Sequence, residues 1–427
     1  MNAAESQLPR PGVLERPPAG AAGRTGQDAA LPRGARLALD MLDRIEGGSV
    51  ALTLPDGGTY CLGRGPQRAH LRVRDLGMFD AALAHGDIGF GEGYMEGDWD
   101  CADGDELAAL LGLLATNRKV LDTAIRGRFL RLLGHRLAHL FNANTRSGAR
   151  RNIEAHYDLG NRFYRLWLDP TMSYSAALFA EGDDQPDADR LAEAQRRKYR
   201  RVLDQLGARA GQTVLEIGCG WGGFAEVAVQ EYGCRVVGLT LSPAQLGYAQ
   251  ARAAAGGYAT EAEFRLCDYR DVEGRFDHIA SIEMIEAVGE AYWPTYFRQI
   301  ARLLASGGRC VVQAITIDDA LFARYRRGTD FIQRYIFPGG MLPAPAQIRR
   351  HSARAGLAIT DDFGFGDHYA RTLACWRQRF DAQGEALARL GFPARFTRMW
   401  RFYLAYCEAG FRSGDLDVRH YTFSRRG

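Results

Sequence analysis

Residues 214–229, VLEIGCGWGGFAEVAV, combine residue types suited to binding a small charged ligand. An apolar run ends at Glu216. Four glycines follow within the next seven residues: Gly218, Gly220, Gly222 and Gly223. Glycine allows positive φ and lets the backbone approach a ligand closely. A helix that starts at such a turn offers free N–H groups to a carboxylate or phosphate, so we predict a ligand-binding turn with an acid beside it.

Nicotinamide dinucleotides bind to similar turns, but two features argue against that class of ligand. The spacing is E-x-G-x-G-x-G-G rather than G-x-G-x-x-G. The next predicted strand ends in Thr240, Leu241 and Ser242, and not in the acid that usually binds a nicotinamide ribose. The turn alone does not single out one cofactor, so the elements around it have to decide.

Predicted strands and helices alternate from residue 151 onward. Five stretches rich in apolar and β-branched residues predict strands: QTVLEIG, CRVVGLTL, AEFRLCD, FDHIASIEM and GGRCVVQAIT. Helical patterns lie between them, and one has Ser242 as its N-cap and Pro243 at its first position. This order predicts a parallel, doubly wound α/β sheet. Ligands of such sheets lie beyond the carboxyl ends of the strands, where Glu216, Asp268 and Glu286 fall.

Three segments precede this α/β pattern. Residues 1–35 are rich in Ala, Gly, Pro and Arg without a long apolar run, which predicts a disordered tail rather than a signal peptide. Residues 36–117 mix short helical and strand patterns, with a hairpin turn at 56–58, and predict a small α+β domain. Residues 118–150 predict a basic amphipathic linker helix.

The linker helix has two equal interpretations. Nine Lys or Arg residues and one acid, Asp122, lie between residues 118 and 151, and leucines recur there at helical spacing. Such a helix can lie on an anionic bilayer. It can equally pack on its neighbours and expose a solvated basic face.

Composition narrows the classes of function. A formal net charge of +3, without a basic stripe that alternates with aromatic residues, argues against nucleic acid as a partner. The eight cysteines are scattered and lack zinc spacing, so we expect free thiols, a reducing cytoplasm and no metal. No apolar run approaches the ~20 residues that span a bilayer.

The sequence resembles the cyclopropane-fatty-acid synthase family, which includes mycolic acid cyclopropane synthases and related fatty-acyl methyltransferases. Six blocks carry the resemblance: ARRNIEAHYDLGNRFYRLWLDPTMSYSAALF, VLEIGCGWGGFA, GLTLSPAQ, SIEMIEAVG, DFIQRYIFPGGMLP and FGDHYARTLACW. It covers about residues 149–427 and extends weakly to GFGEGYMEGDW at 89–99. It implies that residues 151–427 form a class I S-adenosylmethionine methyltransferase, Rossmann-like, with a mostly parallel seven-stranded sheet.

The resemblance implies a site for S-adenosylmethionine, which the reaction consumes. Glu216 would bind the ammonium group of this co-substrate, directly or through water. Asp268 would accept a hydrogen bond from its adenine amino group, with a helix N-cap as the alternative role. The other cofactor-binding residues that the family pattern implies are Tyr174, Ser175, Gly218, Cys219, Gly220, Thr240 and Gln245.

The resemblance also implies the reaction. A cis alkene in an acyl chain attacks the electrophilic sulfonium methyl group, and aromatic side chains stabilise the resulting cation in a dry pocket. A base then removes a proton from the new methyl group, and a cyclopropane ring closes. Family members hold a bicarbonate ion as this base.

This chain matches the family's bicarbonate ligands only in part. Glu286, Tyr369 and the backbone group of Ile315 match. Ala176 stands where the family has a cysteine, and Gln313 stands where it has a histidine. Glutamine can still donate a hydrogen bond and alanine cannot, so two supports of the anion site are changed.

Three outcomes are open for the product. Glu286, Tyr369 and Gln313 hold bicarbonate and give a cyclopropane, or Glu286 is itself the base, or the cation loses a proton elsewhere and leaves a methylene- or methyl-branched chain. The usual product of the family favours the cyclopropane. Glu283 has no counterpart in the family pattern, and we expect a structural carboxylate or a second acid in the site.

The expected substrate is the double bond of an unsaturated phospholipid acyl chain. We expect a cytoplasmic enzyme, peripherally associated with the inner face of the cell membrane, whose N-terminal domain captures lipid and aids pairing of subunits into a homodimer. Two other functions are open. A methyltransferase for a soluble metabolite has no need of the HYDLGN and YIFPGG blocks or of a basic helix. A non-catalytic, lipid-binding relict has no need of the intact cofactor residues.

Overall fold

The computed structural model describes residues 31–125, 159–182 and 190–425. The predicted disordered tail lies outside these residues as far as residue 30, and helix α1 begins at Arg33, inside the predicted end of the tail. The predicted linker helix is described only in its first part, as an α-helix over Arg118–Ile125, and residues 126–150 lie outside the described chain.

The N-terminal region, residues 31–125, contains a four-stranded sheet and five helices. The strands are β1 (Gly48–Thr53), β2 (Thr59–Arg64), β3 (Gln67–Val73) and β4 (Trp99–Asp100). They lie in the order β2-β1-β3-β4, and β1 and β2 form the predicted antiparallel hairpin. The helices are α1 (Arg33–Leu42), α2 (Gly77–His85), α3 (Asp87–Glu96), α4 (Gly104–Thr116) and α5 (Arg118–Ile125).

Helix α3 was not predicted, because its sequence contains three glycines, at positions 89, 91 and 93, and glycine is a poor helix former. The glycines allow close packing instead. A Cβ atom at Gly89 would overlap the carbonyl oxygen of Ala81 in α2, and one at Gly91 would lie 2.6 Å from the ring of Phe331. Packing against two neighbours therefore outweighs intrinsic propensity in this helix.

The C-terminal region, residues 159–425 apart from 183–189, is built on a seven-stranded sheet. Its strands are β5 (Thr213–Ile217), β6 (Arg235–Thr240), β7 (Ala262–Leu266), β8 (Phe276–Ile282), β9 (Leu304–Ile317), β10 (Leu357–Gly364) and β11 (Leu416–Arg425). They lie in the order β10-β11-β9-β8-β5-β6-β7, and β11 alone runs in the direction opposite to the other six. The mostly parallel sheet implied by the resemblance is confirmed.

Helices cover both faces of this sheet and one of its ends. They are α6 (Gly160–Trp167), α7 (Leu191–Leu206), α8 (Gly223–Gln230), α9 (Pro243–Ala255), α10 (Trp293–Leu303), α11 (Asp319–Tyr325), α12 (Phe331–Tyr335), α13 (Pro345–Arg354), α14 (Gly366–Asp381), α15 (Gly384–Arg389) and α16 (Ala394–Arg412). The predicted cap of α9 is confirmed, since the Ser242 hydroxyl accepts a hydrogen bond from the Gln245 N–H at 3.3 Å.

The two regions share one hydrophobic core. Helix α16 packs on α3 and α4, and the buried cluster that contains Trp99 and Leu107 also contains Trp400 and Phe402. A buried arginine joins the regions as well, because Arg377 pairs with Asp105 at 2.7 Å and with Glu408 at 3.0 Å. The N-terminal α+β elements therefore pack directly on the C-terminal region.

Two expectations from composition can be checked directly. All eight cysteines lie in the described chain and none forms a disulfide, so the predicted free thiols are confirmed. Within the described chain, every helix is too short or too polar to cross a membrane.

Candidate active site

A cavity of about 1540 Å³ lies at the carboxyl ends of the parallel strands. Drug-sized ligands typically occupy ~300–1,000 Å³, so this space exceeds what one small ligand needs. The residues that follow β5, β6 and β8 line one part of it. Apolar residues of the N-terminal region, among them Met78, Leu83 and Leu111, line another part. The cavity can therefore hold a polar ligand and a long apolar chain together.

The glycine turn forms part of the cavity wall. Gly218, Gly220 and Gly222 have φ of 87°, 50° and 83°, a region that other residues rarely adopt. The N–H groups of Gly218 and Cys219 donate to the Leu239 carbonyl at 3.1 and 2.7 Å, which fixes the turn to β6. Gly218, Cys219 and Gly220 all line the cavity, and their binding of the cofactor stays a prediction.

Thr240 and Gln245 lie beside the turn as a bonded pair. The Thr240 hydroxyl donates to the amide oxygen of Gln245 at 2.8 Å and accepts from the Ser242 N–H at 3.1 Å. This arrangement leaves the Gln245 NH₂ group to donate elsewhere, and both side chains line the cavity. The pair can therefore bind a ligand oxygen without a carboxylate at the end of β6.

Glu216 is buried at the end of β5, with 3% of its surface exposed. Its Oε2 atom has no hydrogen-bond partner in the described chain. Burial raises the pKa of this carboxyl to about 8, an effect that the charge of Lys198 opposes. A buried carboxyl group with one oxygen unpaired among the described residues, at a ligand-binding turn, is suited to a cationic ligand group.

Lys198 is a site residue that the sequence analysis missed. Its Nζ atom is fully buried and donates to the Ser175 hydroxyl at 2.6 Å. Burial lowers the pKa of Lys198 to about 7, while the charges of Glu283, Asp169 and Glu216 act in the opposite direction. Its spacing in the sequence could have indicated it, because a lysine on the mostly apolar, buried face of α7 is unusual.

Tyr174 and Ser175 lie in the extended segment before α7, and both line the cavity. The Tyr174 hydroxyl is hydrogen-bonded to the Tyr403 hydroxyl at 2.6 Å. The Ser175 carbonyl accepts from the Gln195 amide at 2.9 Å, in addition to the Lys198 bond on its hydroxyl. These bonds hold the two predicted residues over the glycine turn.

Asp268 is engaged within its own turn. Its carboxylate accepts from the Arg270 N–H at 2.9 Å, as the N-cap of a short 3₁₀ helix, and pairs with the Arg270 guanidinium at 2.6 Å. Cys267 and Tyr269 line the cavity on either side of it, whereas Asp268 does not. The structure therefore gives Asp268 the capping role, and its contact with adenine stays a prediction.

Glu286 lies in a 3₁₀ helix, Ile285–Ala287, just beyond β8. Its Oε1 atom accepts from the backbone N–H of Ile315 at 2.6 Å. The other oxygen, Oε2, is buried and has no partner in the described residues, although the side chain lines the cavity. Burial, and then the charge of Glu283, raise the pKa of Glu286 to about 8.

Glu283 is the second acid of the site. Its Oε1 atom accepts from the Ala176 N–H at 2.8 Å and from the Gln313 amide at 2.7 Å. Its Oε2 atom accepts from the Tyr369 hydroxyl at 2.8 Å. Glu283, Glu286 and Tyr369 all line the cavity. Of the two roles expected for Glu283, the structure therefore supports a second acid in the site.

Gln313 is placed differently from the sequence expectation. It is fully buried behind Glu283 and does not line the cavity. Its amide oxygen is hydrogen-bonded to His420 Nε2 at 2.7 Å. Its NH₂ group donates to Glu283 at 2.7 Å and to the Ala176 carbonyl at 3.5 Å. Both ends of the Gln313 amide are therefore occupied inside the protein.

The residues present do not fit a bound bicarbonate ion. The donors that the resemblance assigned to the ion are the Gln313 amide, the Tyr369 hydroxyl and the Ile315 N–H. All three already donate to Glu283 or Glu286. An added anion would lie beside two carboxyl groups without a donor of its own, which is costly.

Comparison with known proteins agrees with this architecture. The family described as mycolic acid cyclopropane synthetase matches residues 144–421. The tuberculostearic acid methyltransferase UfaA1 of Mycobacterium tuberculosis is 44% identical over 80% of each chain. The cyclopropane-fatty-acyl-phospholipid synthase of Escherichia coli is 34% identical over 84% of this chain and 89% of its own.

A solved structure points the same way. The crystal structure of mycolic acid cyclopropane synthase CmaA1 with SAH and CTAB aligns with a TM-score of 0.59 and 33% identity, over 64% of this chain and 97% of that one. The fold, the intact cofactor turn and these relatives lead to one conclusion. The chain belongs to the mycolic acid cyclopropane synthetase family of S-adenosylmethionine-dependent methyltransferases that act on fatty acyl chains.

Proposed function

We propose that this enzyme transfers a methyl group from S-adenosylmethionine to the cis double bond of an unsaturated phospholipid acyl chain, and releases a methylene-branched chain. The observation that carries the proposal is the single cavity. It joins the glycine turn and Glu216 to Glu283 and Glu286, and then to an apolar wall contributed by the N-terminal region. A polar co-substrate and an acyl chain can therefore meet beside two acids.

The protein's residues bind, orient and shield the reactants. Bound S-adenosylmethionine supplies an electrophilic methyl group. The π electron pair of the alkene forms the new carbon–carbon bond, the carbon–sulfur bond breaks, and sulfur keeps that pair. Tyr174, Phe337 and Tyr403, which line the cavity, offer aromatic faces to the cation left on the chain. The two acids oppose its charge, and an acyl chain that fills the cavity displaces water.

Loss of a proton from the transferred methyl group completes either product. If a hydride first moves from the methylated carbon to the neighbouring cationic carbon, the more stable tertiary cation forms, and loss of a proton from the methyl group leaves a C=CH₂ branch on the chain. Without that shift, the same proton loss closes a cyclopropane. A saturated methyl branch requires a further hydride donor, so a separate reductase would have to follow this enzyme.

Similarity supports the branched product. The M. tuberculosis relative, 44% identical, is named as a methyltransferase of tuberculostearic acid. The E. coli relative, named as a cyclopropane synthase, is 34% identical. The similarity to the E. coli enzyme supports the second candidate function, cyclopropane formation. The sequence resemblance led to the same expectation.

The lipid product separates the two candidates. We expect the purified enzyme, incubated with S-adenosylmethionine and vesicles of an unsaturated phosphatidylglycerol, to give NMR signals of a vinylidene group in the isolated acyl esters. Upfield cyclopropane signals in their place would establish the second candidate. Mass alone does not decide, because the two products are isomers. Transfer to small amines and not to lipid would instead indicate a soluble-metabolite methyltransferase.

We further propose that the enzyme reaches its substrate at the cytoplasmic, anionic face of a membrane through the basic segment 118–150. Each Lys or Arg near such a surface contributes about 1 kcal/mol, so reversing three charges should lower activity on anionic vesicles at least tenfold and leave cofactor binding unchanged.

The test variant combines Arg126→Glu, Arg128→Glu and Arg131→Glu. The control variant reverses three exposed arginines of the C-terminal region: Arg235, Arg350 and Arg389. Equal activity of the two variants would contradict the membrane role.

A further inference from the structure

Glu283 has an unusual backbone conformation. Its φ is 48°, a left-handed value that costs a non-glycine residue roughly 1–2 kcal/mol. In the described chain only one other non-glycine residue, Met172, has positive φ. Strain of this kind persists when the surroundings enforce it, and it clusters at functional sites. The backbone at Glu283 therefore places its side chain at a specific point of the cavity.

Three separate parts of the chain donate hydrogen bonds to that side chain. Ala176 precedes α7, Gln313 lies in β9, and Tyr369 lies in α14. These are three of the positions at which the sequence resemblance implies ligands of a bicarbonate ion. The Glu283 carboxylate thus accepts the hydrogen bonds that a bound anion would need.

The carboxylate also keeps the capacity to accept a proton. A carboxylate has about four lone-pair sites, and three of those on Glu283 are in use. Oε2 carries a single bond, from Tyr369, while the side chain is only partly buried and lines the cavity. One lone pair therefore remains for a proton from a substrate.

We propose that Glu283 is the catalytic base of this enzyme and takes the place of bicarbonate, an inference that rests on the proposed function. After methyl transfer, Oε2 of Glu283 accepts a proton from the transferred methyl group. The electron pair of that C–H bond becomes the new π bond of the branched product, or the ring bond of a cyclopropane. The proton on Glu283 is then lost to solvent after the products leave.

The neighbouring charges distinguish Glu283 from Glu286. Burial raises the pKa of Glu283, and three hydrogen-bond donors and the charge of Lys198 oppose that rise by stabilising the ionised form. Glu286 receives a single hydrogen bond, from the Ile315 N–H, and lies next to the charge of Glu283. Two acids this close share one negative charge most easily, and the hydrogen bonds place it on Glu283.

The proposal can be tested by removing the Glu283 carboxylate from its three hydrogen-bond donors. Glu283→Gly removes the carboxylate, suits the positive φ and leaves the three donors free for a small anion. We expect wild-type turnover to be unchanged when bicarbonate is removed from the buffer. We expect Glu283→Gly to lose at least tenfold in turnover and to regain activity as bicarbonate is added. A wild-type enzyme that requires bicarbonate, or a variant that needs none, would overturn the proposal.

A binding measurement makes the test independent of the lipid substrate. With ¹³C-labelled bicarbonate and NMR line broadening, we expect binding to Glu283→Gly and none to the wild type. Binding to both proteins, or to neither, would count against the proposal. Unchanged binding of S-adenosylmethionine shows that the variant is folded. If the wild type does not methylate vesicles, the proposed function fails, while the bicarbonate binding result still decides whether Glu283 fills the anion site.

Discussion

Glu286→Gln is expected to lower kcat about 10²–10³-fold while the protein remains folded and still binds S-adenosylmethionine. Removing one preorganised electrostatic group from an active site typically has an effect of this size. Glutamine keeps an oxygen that accepts the 2.6 Å bond from the Ile315 N–H, so the backbone contact survives. What it loses is the ability to become negative when a sulfonium group and then a carbocation occupy the cavity.

The size of the effect follows from burial. The pKa of about 8 describes Glu286 without ligands, when desolvation and the charge of Glu283 favour its neutral form. A cationic co-substrate nearby lowers that pKa, so the group ionises when the reaction needs a negative charge. Once substrate fills the cavity, the attraction between this charge and a cation is much stronger than it would be in solvent.

The measurement is single-turnover formation of S-adenosylhomocysteine on unsaturated vesicles, with cofactor affinity measured in parallel. Glu290→Gln is the matched control. Glu290 lies four residues further on, is partly exposed, pairs with Arg326 at 2.7 Å and does not line the cavity. We expect it to retain wild-type turnover. A Glu286→Gln enzyme within threefold of the wild type would remove Glu286 from the mechanism.

The part of this fold that could be predicted is the part governed by local pattern. The five central strands, the cap at Ser242 and the glycine turn each follow from a few adjacent residues, and all are present. Strands β10 and β11 were missed because polar residues interrupt their apolar pattern. In β11, the Asp417 carboxylate accepts a hydrogen bond from the Gly366 N–H and Arg419 pairs with Asp362, and both partners are distant in sequence.

The candidate site shows the same division. The residues of the glycine turn could be predicted, because their positive φ values depend on glycines that are adjacent in the sequence. The role of Glu283 could not, because its three donors lie 107, 30 and 86 residues away in the chain. The place of Lys198 in the site could not be predicted for a similar reason, since Ser175, Glu216 and Glu283 come close to it only in the folded protein.

Glu216→Gln is expected to weaken binding of S-adenosylmethionine about 100-fold at pH 7.5. A hydrogen bond to a charged group contributes about 1.5–3 kcal/mol, which corresponds to roughly 10–150-fold in affinity. The upper part of that range applies because Glu216 is buried and its Oε2 has no other partner in the described chain. The proposed ligand group is the ammonium of the co-substrate, for which a neutral glutamine is a poor substitute.

The pH dependence of binding provides an independent check on this role. Without ligand the pKa of Glu216 is about 8, so the carboxyl is mostly protonated at neutral pH and must lose that proton to pair with an ammonium group. Wild-type affinity should therefore rise with pH up to about 8. An α-amino group titrates at about 7.7–8.0, so affinity should fall again at higher pH as the ligand loses its charge. In Glu216→Gln the rise on the acid side should disappear.

Glu216 also affects how the stability of the ligand-free protein depends on pH. The folded-state pKa of Glu216 is raised above the ordinary value of 4.5, so its contribution to stability is fully present below pH 4.5 and is lost as pH rises toward 8. Glu216→Gln should therefore melt higher than the wild type at pH 8 and close to it at pH 4.5.

Calorimetric titration between pH 6 and 9, in pairs of buffers with different ionisation enthalpies, counts the proton released by the wild type and not by the variant. Glu226→Gln is the control, since Glu226 lies one helical turn into α8, pairs with Arg252 at 2.6 Å and does not line the cavity. If Glu216→Gln binds within threefold of the wild type with the same proton release, the ammonium lies elsewhere. The glycine turn would then bind the co-substrate through its backbone alone.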